Sequence, residues 1–392
     1  MSKDFYFREN IMNSVLILEN GEIFDGVSIG VSGERIGEVV LDTAVVGYQE
    51  IMSDPANAGK IVVMTYPLIG NYGVADKFYE SKKCWIGGLI IKEKTRIYSN
   101  WQAEGSFDGL LKKEGIVAME GVDTRTLAIT IRDEGEMLGM ISAGKTPASE
   151  LMKRLKAHKK GSRIDFIRSI STKGIVEIKA KPSGPRIVVI DIGVLNSFVS
   201  QLKTLGCNIT LVPYDTDAAA ILGMAPDGVI ISNGPEADVS LPAVAKTAKD
   251  LMGRVPLLGI STGHEVIGLA LGAKLRKMKT GHHGVNYPVK PSDSWKGEIT
   301  VQNHSYVIDE NSLPKKGGID VILRNLNDDS VEALESKKLR FISVQYYPSS
   351  PGFGEVNPIL RRFMAMAART DRMGSSRRPS MMHDGEIEHA KA

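Results

Sequence analysis

The hydrophobic and polar positions of this chain follow different patterns in its two halves. Residues 14–142 carry short apolar runs, such as 15–18 and 61–64, that Gly, Asn and Asp interrupt. Short runs rich in Val and Ile with such breaks predict strands. Helical patterns interrupt them at 107–114 and 125–134. We therefore predict a β-rich N-terminal domain.

The second half shows apolar strands that alternate with helical segments. The predicted strands are 187–191, 209–213, 228–232 and 255–260, and the predicted helices between them are 197–205, 218–223 and 243–252. Alternation of this kind predicts βαβ units and a parallel sheet. We predict a doubly wound α/β domain over 186–368, with its chemistry at the carboxyl ends of the strands. The fold class is therefore α/β, with the β-rich domain first.

Three further segments do not fit either pattern. Residues 146–185 are predicted to connect the domains, because a Pro precedes a helical pattern at 147 and the stretch 179–185 is rich in Pro and Gly. Residues 1–13 are predicted to be a disordered extension. The polar residues 369–392 are predicted to be a disordered tail.

Composition and charge narrow the class of protein. A chain of 392 residues with 42% hydrophobic and 24% charged residues is typical of a soluble protein with two domains. The net charge of +3 is small, which argues against a nucleic-acid partner. No long apolar run or secretory signal is present, which argues against a membrane partner.

The number and spacing of the cysteines indicate the compartment of the protein. Only Cys84 and Cys207 occur, far apart in the sequence, so we expect neither a disulfide framework nor a metal site. This usage fits a reducing compartment. We expect a cytoplasmic protein.

The sharpest local signal is a turn at Ser261. An apolar strand at 257–260 leads into a Gly two residues on each side of Ser261, and a helical segment follows. This pattern matches G-x-S-x-G, the nucleophile elbow, in which a strained turn projects one side chain above the sheet. A hydrolase that uses Ser261 is therefore one interpretation.

That interpretation requires a base for the serine hydroxyl. His264 lies one helical turn further along, so its ring is expected to point elsewhere. The later histidines do not lie beyond a late strand with an acid partner nearby; they are His282, His283, His304, His383 and His389. A serine hydrolase therefore stays only an alternative.

Longer motifs give a more specific indication. In the first half they include GYQEIMSDP at 47–55, TYPLIGNYG at 65–73 and GVDTR at 121–125; in the second they include SNGP at 232–235, GISTGH at 259–264, GHHGVN at 281–286, QNH at 302–304 and SVQY at 343–346. In this order they resemble the carbamoyl-phosphate synthase small chain family over residues 14–368. The resemblance implies that the C-terminal domain is a class I glutamine amidotransferase (glutaminase-like) domain.

The catalytic positions depart from the family pattern. The family elbow reads G-I-C-L-G-H-Q and its late motif reads Q-Y-H-P-E, so the resemblance places Ser261, Tyr347 and Ser349 where the cysteine, histidine and glutamate belong. A thiol is partly ionised near neutral pH, whereas a serine hydroxyl depends on its base. A phenol with a pKa of about 10 cannot replace imidazole as that base. We predict an inactive glutaminase.

The substrate positions depart as well. Glu236 stands where the third residue of the family's G-P-G turn would be a glycine, and it adds a Cβ and a negative charge beside an oxyanion site. We therefore expect that glutamine is no longer bound. The positions that the resemblance assigns to the glutamine pocket are mostly substituted, and they are Ala56, Gly234, Glu236, Thr262, Glu265, Asn303, Ser305 and Tyr306.

The resemblance also implies a partner. Small chains pair with a large synthetase subunit, which makes carbamoyl phosphate from bicarbonate, ATP and a nitrogen source for arginine and pyrimidine synthesis. ATP and metal are expected on that subunit and no cofactor on this chain. Without hydrolysis the nitrogen source would be ammonia, and this chain would be a structural or regulatory partner. The alternative is a stand-alone regulatory pseudoenzyme whose Glu236, Glu265 and Tyr347 recognise another ligand.

Overall fold

The computed structural model describes residues 12–374 except 145, 162, 292, 293, 295 and 353. In the first half the helices are α1 (Tyr48–Ser53), α2 (Phe107–Lys113) and α3 (Thr124–Glu134). The strands there are β1 (Asn13–Leu18), β2 (Ile23–Gly30), β3 (Glu34–Asp42), β4 (Ile61–Met64), β5 (Leu68–Ile69), β6 (Gly88–Ile90), β7 (Glu93–Lys94), β8 (Val117–Glu120) and β9 (Met137–Ala143).

The second half begins with helices α4 (Ala148–Gly161) and α5 (Ile167–Ile170). Its further helices are α6 (Asn196–Thr204), α7 (Ala218–Gly223), α8 (Leu241–Leu251), α9 (Thr262–Ala270) and α10 (Pro358–Gly374). Its strands are β10 (Val176–Ile178), β11 (Arg186–Asp191), β12 (Asn208–Pro213), β13 (Gly228–Ile231), β14 (Leu257–Ile260), β15 (Leu275–Lys290), β16 (Glu298–Ile308), β17 (Asp320–Asn325), β18 (Val331–Ser336) and β19 (Phe341–Val344).

The first domain is built on a sheet that closes on itself in the order β1-β2-β8-β6-β4-β3-β9. Strand β9 completes the closure by pairing antiparallel with β1. Leu16, Ile61 and Ile90 point into a buried apolar core, which explains the short apolar runs of this half. The prediction of a β-rich N-terminal domain is confirmed.

The second domain contains a ten-stranded sheet in the order β10-β12-β11-β13-β14-β19-β18-β17-β15-β16. Its strands β12, β11, β13, β14 and β19 are parallel. On β11, Val188 and Ile190 pack in one core with α8 and α9, whereas Ile187 and Val189 pack in another with α6 and α10. Burial on both faces explains the continuous apolar runs. The doubly wound sheet is confirmed.

The segment predicted to connect the domains carries more structure than its composition indicates. Leu151 and Leu155 of α4 pack against Ile17 and Met140 of the closed sheet. Strand β10 pairs antiparallel with β12 and becomes an edge of the second sheet. Residues 179–185 contain neither a strand nor a helix.

Two predicted boundaries also differ. Strand β1 already begins at Asn13, inside the predicted extension. Helix α10 runs to Gly374, so the prediction of a disordered tail from 369 is wrong for 369–374. Leu360, Phe363 and Ala367 of this helix are buried at helical spacing, which anchors it to the second domain. The predictions for 1–11 and 375–392 lie outside the described residues.

The two domains are in direct contact along β15. The N–H of Thr43 donates to the His283 carbonyl at 3.3 Å, and the N–H of Glu136 donates to the Lys279 carbonyl at 2.8 Å. After β11, the N–H of Asn196 donates to the Glu80 carbonyl at 2.7 Å. The first domain thus covers the crevice at the carboxyl ends of the parallel strands. None of the helices described is both long and apolar enough to cross a membrane.

The close approach of α9 to the sheet depends on Gly263. A Cβ at Gly263 would lie 2.2 Å from the Ile231 carbonyl oxygen. We expect Gly263→Ala to lower the free energy of unfolding by about 1–3 kcal/mol, because the backbone must move to relieve the overlap. Urea denaturation measures this change.

The matched control is Gly223→Ala at the end of α7, where a Cβ would have no neighbour within 4 Å. This variant should be as stable as the wild type or slightly more stable, because alanine restricts the unfolded chain. Equal stabilities of the two variants would contradict the packing role of Gly263.

Candidate functional site

Ser261 lies at a strained turn between β14 and α9. Its backbone has φ 52° and ψ −113°, an unfavourable conformation for a residue with a Cβ. Gly259 makes the turn possible, because a Cβ there would lie 2.4 Å from the Gly263 carbonyl oxygen. The elbow expected from the glycine spacing is therefore present. The Ser261 hydroxyl is buried and has no hydrogen-bond partner among the described residues.

No histidine hydrogen-bonds to Ser261 in the described part of the chain. The ring of His264 points away, with Nδ1 at 2.8 Å from the Ser343 hydroxyl. Burial lowers the pKa of His264 to about 3, so its ring is neutral. Two later histidines, both on β15, do have acid partners in the folded chain: Nε2 of His282 lies 3.4 Å from Asp328, and Nε2 of His283 lies 3.0 Å from Glu136.

Tyr347, at the position of the family histidine, is bonded across the domain junction. Its hydroxyl donates to Asp54 Oδ2 at 2.7 Å. Burial raises the pKa of Tyr347 well above its ordinary value, and the nearby Asp54 carboxylate raises it further. The phenol is therefore a permanent donor near neutral pH and cannot accept a proton from a nucleophile.

Ser349 lies in a different environment from the buried Ser261. It is exposed, its N–H donates to the Tyr347 carbonyl at 2.7 Å, and its own carbonyl accepts from the Asn357 side chain. It lies at the rim of a cavity in the domain junction. The three family triad positions thus form no hydrogen-bonded triad.

Asp54 receives donors from both domains. Its Oδ1 accepts from the N–H of Ala56 at 2.9 Å, which starts the 3-10 helix Pro55–Asn57. Its Oδ2 accepts from Asn303 Nδ2 at 2.8 Å as well as from Tyr347. Ala56 and Asn303 therefore both support this carboxylate in the structure.

Asn303 also contacts His283, which pairs with Glu136. Its Oδ1 lies 2.7 Å from His283 Nδ1, and His283 Nε2 lies 3.0 Å from Glu136 Oε1. Because both partner atoms are acceptors, both ring nitrogens donate and the imidazole is cationic. Burial alone lowers the pKa of His283, but the charge and hydrogen bond of Glu136 outweigh it and raise the pKa.

The carboxylate of Glu236 is held by main-chain groups. It accepts from the N–H groups of Ser305 and Tyr306 at 2.8 to 2.9 Å. Lys60 Nζ, from the first domain, lies 3.6 Å away. The negative charge that the sequence indicated at this position is thus balanced by Lys60 and by the two N–H groups.

Other pocket positions are buried around this carboxylate. Burial and the charge of Glu236 raise the pKa of Glu265 well above its ordinary value, which favours its neutral form. The Thr262 hydroxyl donates to the Gly234 carbonyl at 2.5 Å. A Cβ at Gly234 would lie 2.0 Å from the Ile192 carbonyl oxygen, so only glycine fits there.

A cavity of about 170 Å³ opens at the domain junction. Tyr347 and Ser349 line it, together with four acidic residues to which the sequence assigned no site role, which are Asp42, Glu50, Asp54 and Glu80. Burial raises the pKa of Glu50 to about 7. These acids are scattered along the first domain, so only the folded chain brings them together.

One group of described residues has the composition of a metal site. The ligand atoms of His282, His304 and Glu332 lie within 4.8 Å of one another. The Gln302 carboxamide oxygen, however, lies 3.0 Å from His282 Nδ1 and 2.7 Å from His304 Nε2. Hydrogen bonding to Gln302 thus accounts for this cluster.

Comparisons with known proteins agree with the two-domain architecture. Residues 16–141 match the CPSase domain of the carbamoyl-phosphate synthase small chain, and residues 188–366 match class-I glutamine amidotransferases. The carbamoyl phosphate synthase small chain of Clostridium acetobutylicum is 40% identical over 356 residues, which cover 90% of this chain and 99% of that one. The pyrimidine-specific small chain of Bacillus subtilis is 38% identical over 372 residues, with 93% and 99% covered.

The Tyr347 hydrogen bond can be tested against its neighbour. We expect Tyr347→Phe to lower the free energy of unfolding by about 1–3 kcal/mol, because it removes a donor from the buried Asp54 carboxylate. The control is Tyr346→Phe, since the Tyr346 hydroxyl makes no hydrogen bond to the described residues. Urea denaturation should separate the two variants, and similar losses would contradict the bond.

The Glu136–His283 pair predicts a pH dependence. The raised pKa of His283 gives stability that is present below about pH 6.5 and is lost as the pH rises through the folded-state pKa. Burial opposes ionisation of Glu136, but His283 holds its pKa at about 2. That contribution is present above about pH 4.3 and is lost as the pH falls.

Both contributions coexist between about pH 4.3 and 6.5. We therefore expect Glu136→Gln to lose more stability at pH 5.5 than at pH 9, in urea denaturation at each pH. Glu134→Gln is the control, because Glu134 is exposed on the same segment. An equal loss at both pH values would argue against the ion pair.

Proposed function

Since the chain belongs to the carbamoyl-phosphate synthase small chain family, we propose that it is a glutaminase-inactive small subunit. In this role it is a structural or regulatory partner of the large synthetase subunit. The complex makes carbamoyl phosphate for arginine and pyrimidine synthesis in the cytoplasm, with ammonia as the nitrogen source. ATP and metal bind to the large subunit.

The observation that carries the proposal is the isolation of Ser261 from any base. Amide hydrolysis through a covalent intermediate requires that the nucleophile lose its proton before ammonia leaves. The Ser261 hydroxyl has no hydrogen-bond partner among the described residues, and the nearest histidine along the chain, His264, bonds Ser343. The Tyr347 hydroxyl donates a hydrogen bond to Asp54 and is not bonded to Ser261. No proton acceptor is therefore bonded to Ser261.

The surroundings of the pocket support the same proposal. The Glu236 carboxylate occupies the N–H groups of Ser305 and Tyr306. A negative charge there opposes the oxyanion that forms during attack on an amide. Catalysis by the remaining binding groups alone would be small.

The two alternatives have less support. A serine hydrolase needs a base at Ser261, and the bonded partners of the histidines lie elsewhere. A stand-alone pseudoenzyme that binds a ligand through Glu236, Glu265 and Tyr347 would need these side chains to be available. Glu236 and Tyr347 already bond protein groups, at the amides of β16 and at Asp54.

Glutamine hydrolysis is the direct test of activity. We expect no glutamate release above the protein-free rate by the purified chain, alone or mixed with the large subunit. Ser261→Ala is the matched control and should give the same rate. Glutamate release that Ser261→Ala abolishes would overturn the proposal.

The partner role needs a separate measurement. The chain should co-purify with the large subunit, and the complex should form carbamoyl phosphate from ammonium but not from glutamine. A complex that uses glutamine, or the failure of the two chains to associate, would contradict this role.

Ser261→Cys tests which substitution limits the chemistry. We expect this variant to release no glutamate, because a restored thiol still lacks the imidazole and faces the Glu236 charge. Glutamate release by this single variant would show that the nucleophile alone had been lost.

A further inference from the structure

An anion-binding arrangement lies buried where the two domains meet. The N–H groups of Ser305 and Tyr306 are adjacent on β16, and both donate to the Glu236 carboxylate at 2.8 to 2.9 Å. Lys60 Nζ approaches the same carboxylate from the first domain at 3.6 Å. Two main-chain donors and an ammonium group together form an environment that suits a carboxylate.

The burial of these groups means that they require an anion. Glu236 is 5% exposed and Lys60 is 9% exposed. Lys60 Nζ makes no hydrogen bond to the described residues, so its charge is balanced by Coulombic attraction. Breaking a buried ion pair by removing one partner is strongly unfavourable. Glu236 is the acid in direct ion-pair contact with Lys60.

Glu265 is a second buried acid that interacts with Glu236. Its carboxyl group is fully buried, and its Oε2 has no hydrogen-bond partner among the described residues. Two carboxylates side by side in a buried site cannot both ionise. Glu236 is the acid that contacts the two amides and Lys60, whereas burial and the charge of Glu236 raise the pKa of Glu265 and favour its neutral form.

We infer that Lys60 and the amides of Ser305 and Tyr306 form a carboxylate-binding site that the chain fills with its own Glu236. The filled site is closed to an external carboxylate ligand for as long as Glu236 stays in place. When vacated, it takes a small monocarboxylate. The inference rests on the proposed function only in treating this pocket as released from glutamine.

Removal of the Glu236 side chain gives a direct test. Glu236→Ala deletes a CH₂–COO⁻ group, which corresponds to acetate. We expect a lower melting temperature than that of the wild type, and we expect acetate to raise it again. Acetate at ten times its dissociation constant should lower the unfolded fraction about tenfold. Acetamide has the same shape as acetate without the charge. Neither acetamide nor sodium chloride at equal ionic strength should raise the melting temperature of this variant.

Two controls connect the effect to this site. In the Glu236→Ala background, Lys60→Met should abolish the acetate effect. Glu332→Ala deletes the same fragment from a buried carboxylate that accepts from the side chains of Gln302 and Asn325. Acetate should stabilise that variant no more than acetamide does. Equal effects of acetate and acetamide on Glu236→Ala would overturn the inference.

A second variant keeps the test valid if Glu236→Ala does not fold. Glu236→Gln has the same shape but turns an NH₂ group toward the main-chain donors. Its urea midpoint should fall below that of the wild type and below that of Glu332→Gln. Wild-type stability of Glu236→Gln would overturn the inference. Glutamate release by the wild-type chain would instead overturn the proposed function alone.

Discussion

The buried carboxylate of Asp54 is the constraint on which the arrangement of this site depends. A carboxylate that is 5% exposed is costly unless hydrogen-bond donors replace its water. Asp54 takes one donor from its own domain, at Ala56, and two from the other domain, at Asn303 and Tyr347. The side chain at the position of the family histidine therefore helps to hold the two domains together.

Two further pairs also have one partner in each domain. Glu136 of the first domain faces His283 of the second, and Lys60 of the first faces Glu236 of the second. Each pair places opposite charges, or a donor and an acceptor, on opposite sides of one buried surface. Because a buried charge without its partner is unfavourable, each domain specifies the position of the other. The catalytic crevice of the fold has become part of a domain junction.

The elbow at Ser261 is a strained turn that the packing of α9 against the sheet holds in place. The positive φ of Ser261 costs about 1–3 kcal/mol in strain. The contacts of Gly259 and Gly263 with neighbouring carbonyls hold α9 against the sheet, and the buried apolar side chains of α9 compensate for the strain. The turn therefore depends on packing of the helix rather than on a reactive group.

Local sequence patterns predicted the strands, helices and turns of this protein better than they predicted its long-range contacts. Alternating apolar runs and helical segments identified the parallel sheet, and two glycines identified the turn at Ser261. The closure of the first sheet was not predictable, because β1 and β9 pair from opposite ends of the domain. The partner of Tyr347 was not predictable either, since Asp54 lies 293 residues away in sequence.

Three separate features of the site support the proposal that glutamine is not hydrolysed, and they do not share a cause. The Ser261 hydroxyl has no hydrogen-bond partner among the described residues, and the Tyr347 hydroxyl is bonded to Asp54. The Glu236 carboxylate accepts from the N–H groups of Ser305 and Tyr306 on β16. A change at one position leaves the other two in place, because each side chain is held by different partners. The features that support the proposal are therefore distributed over the pocket and are not confined to the nucleophile position. The hydrogen bonds of Tyr347 and Glu236 also give buried polar groups their partners, so the packing of the two domains stabilises this arrangement.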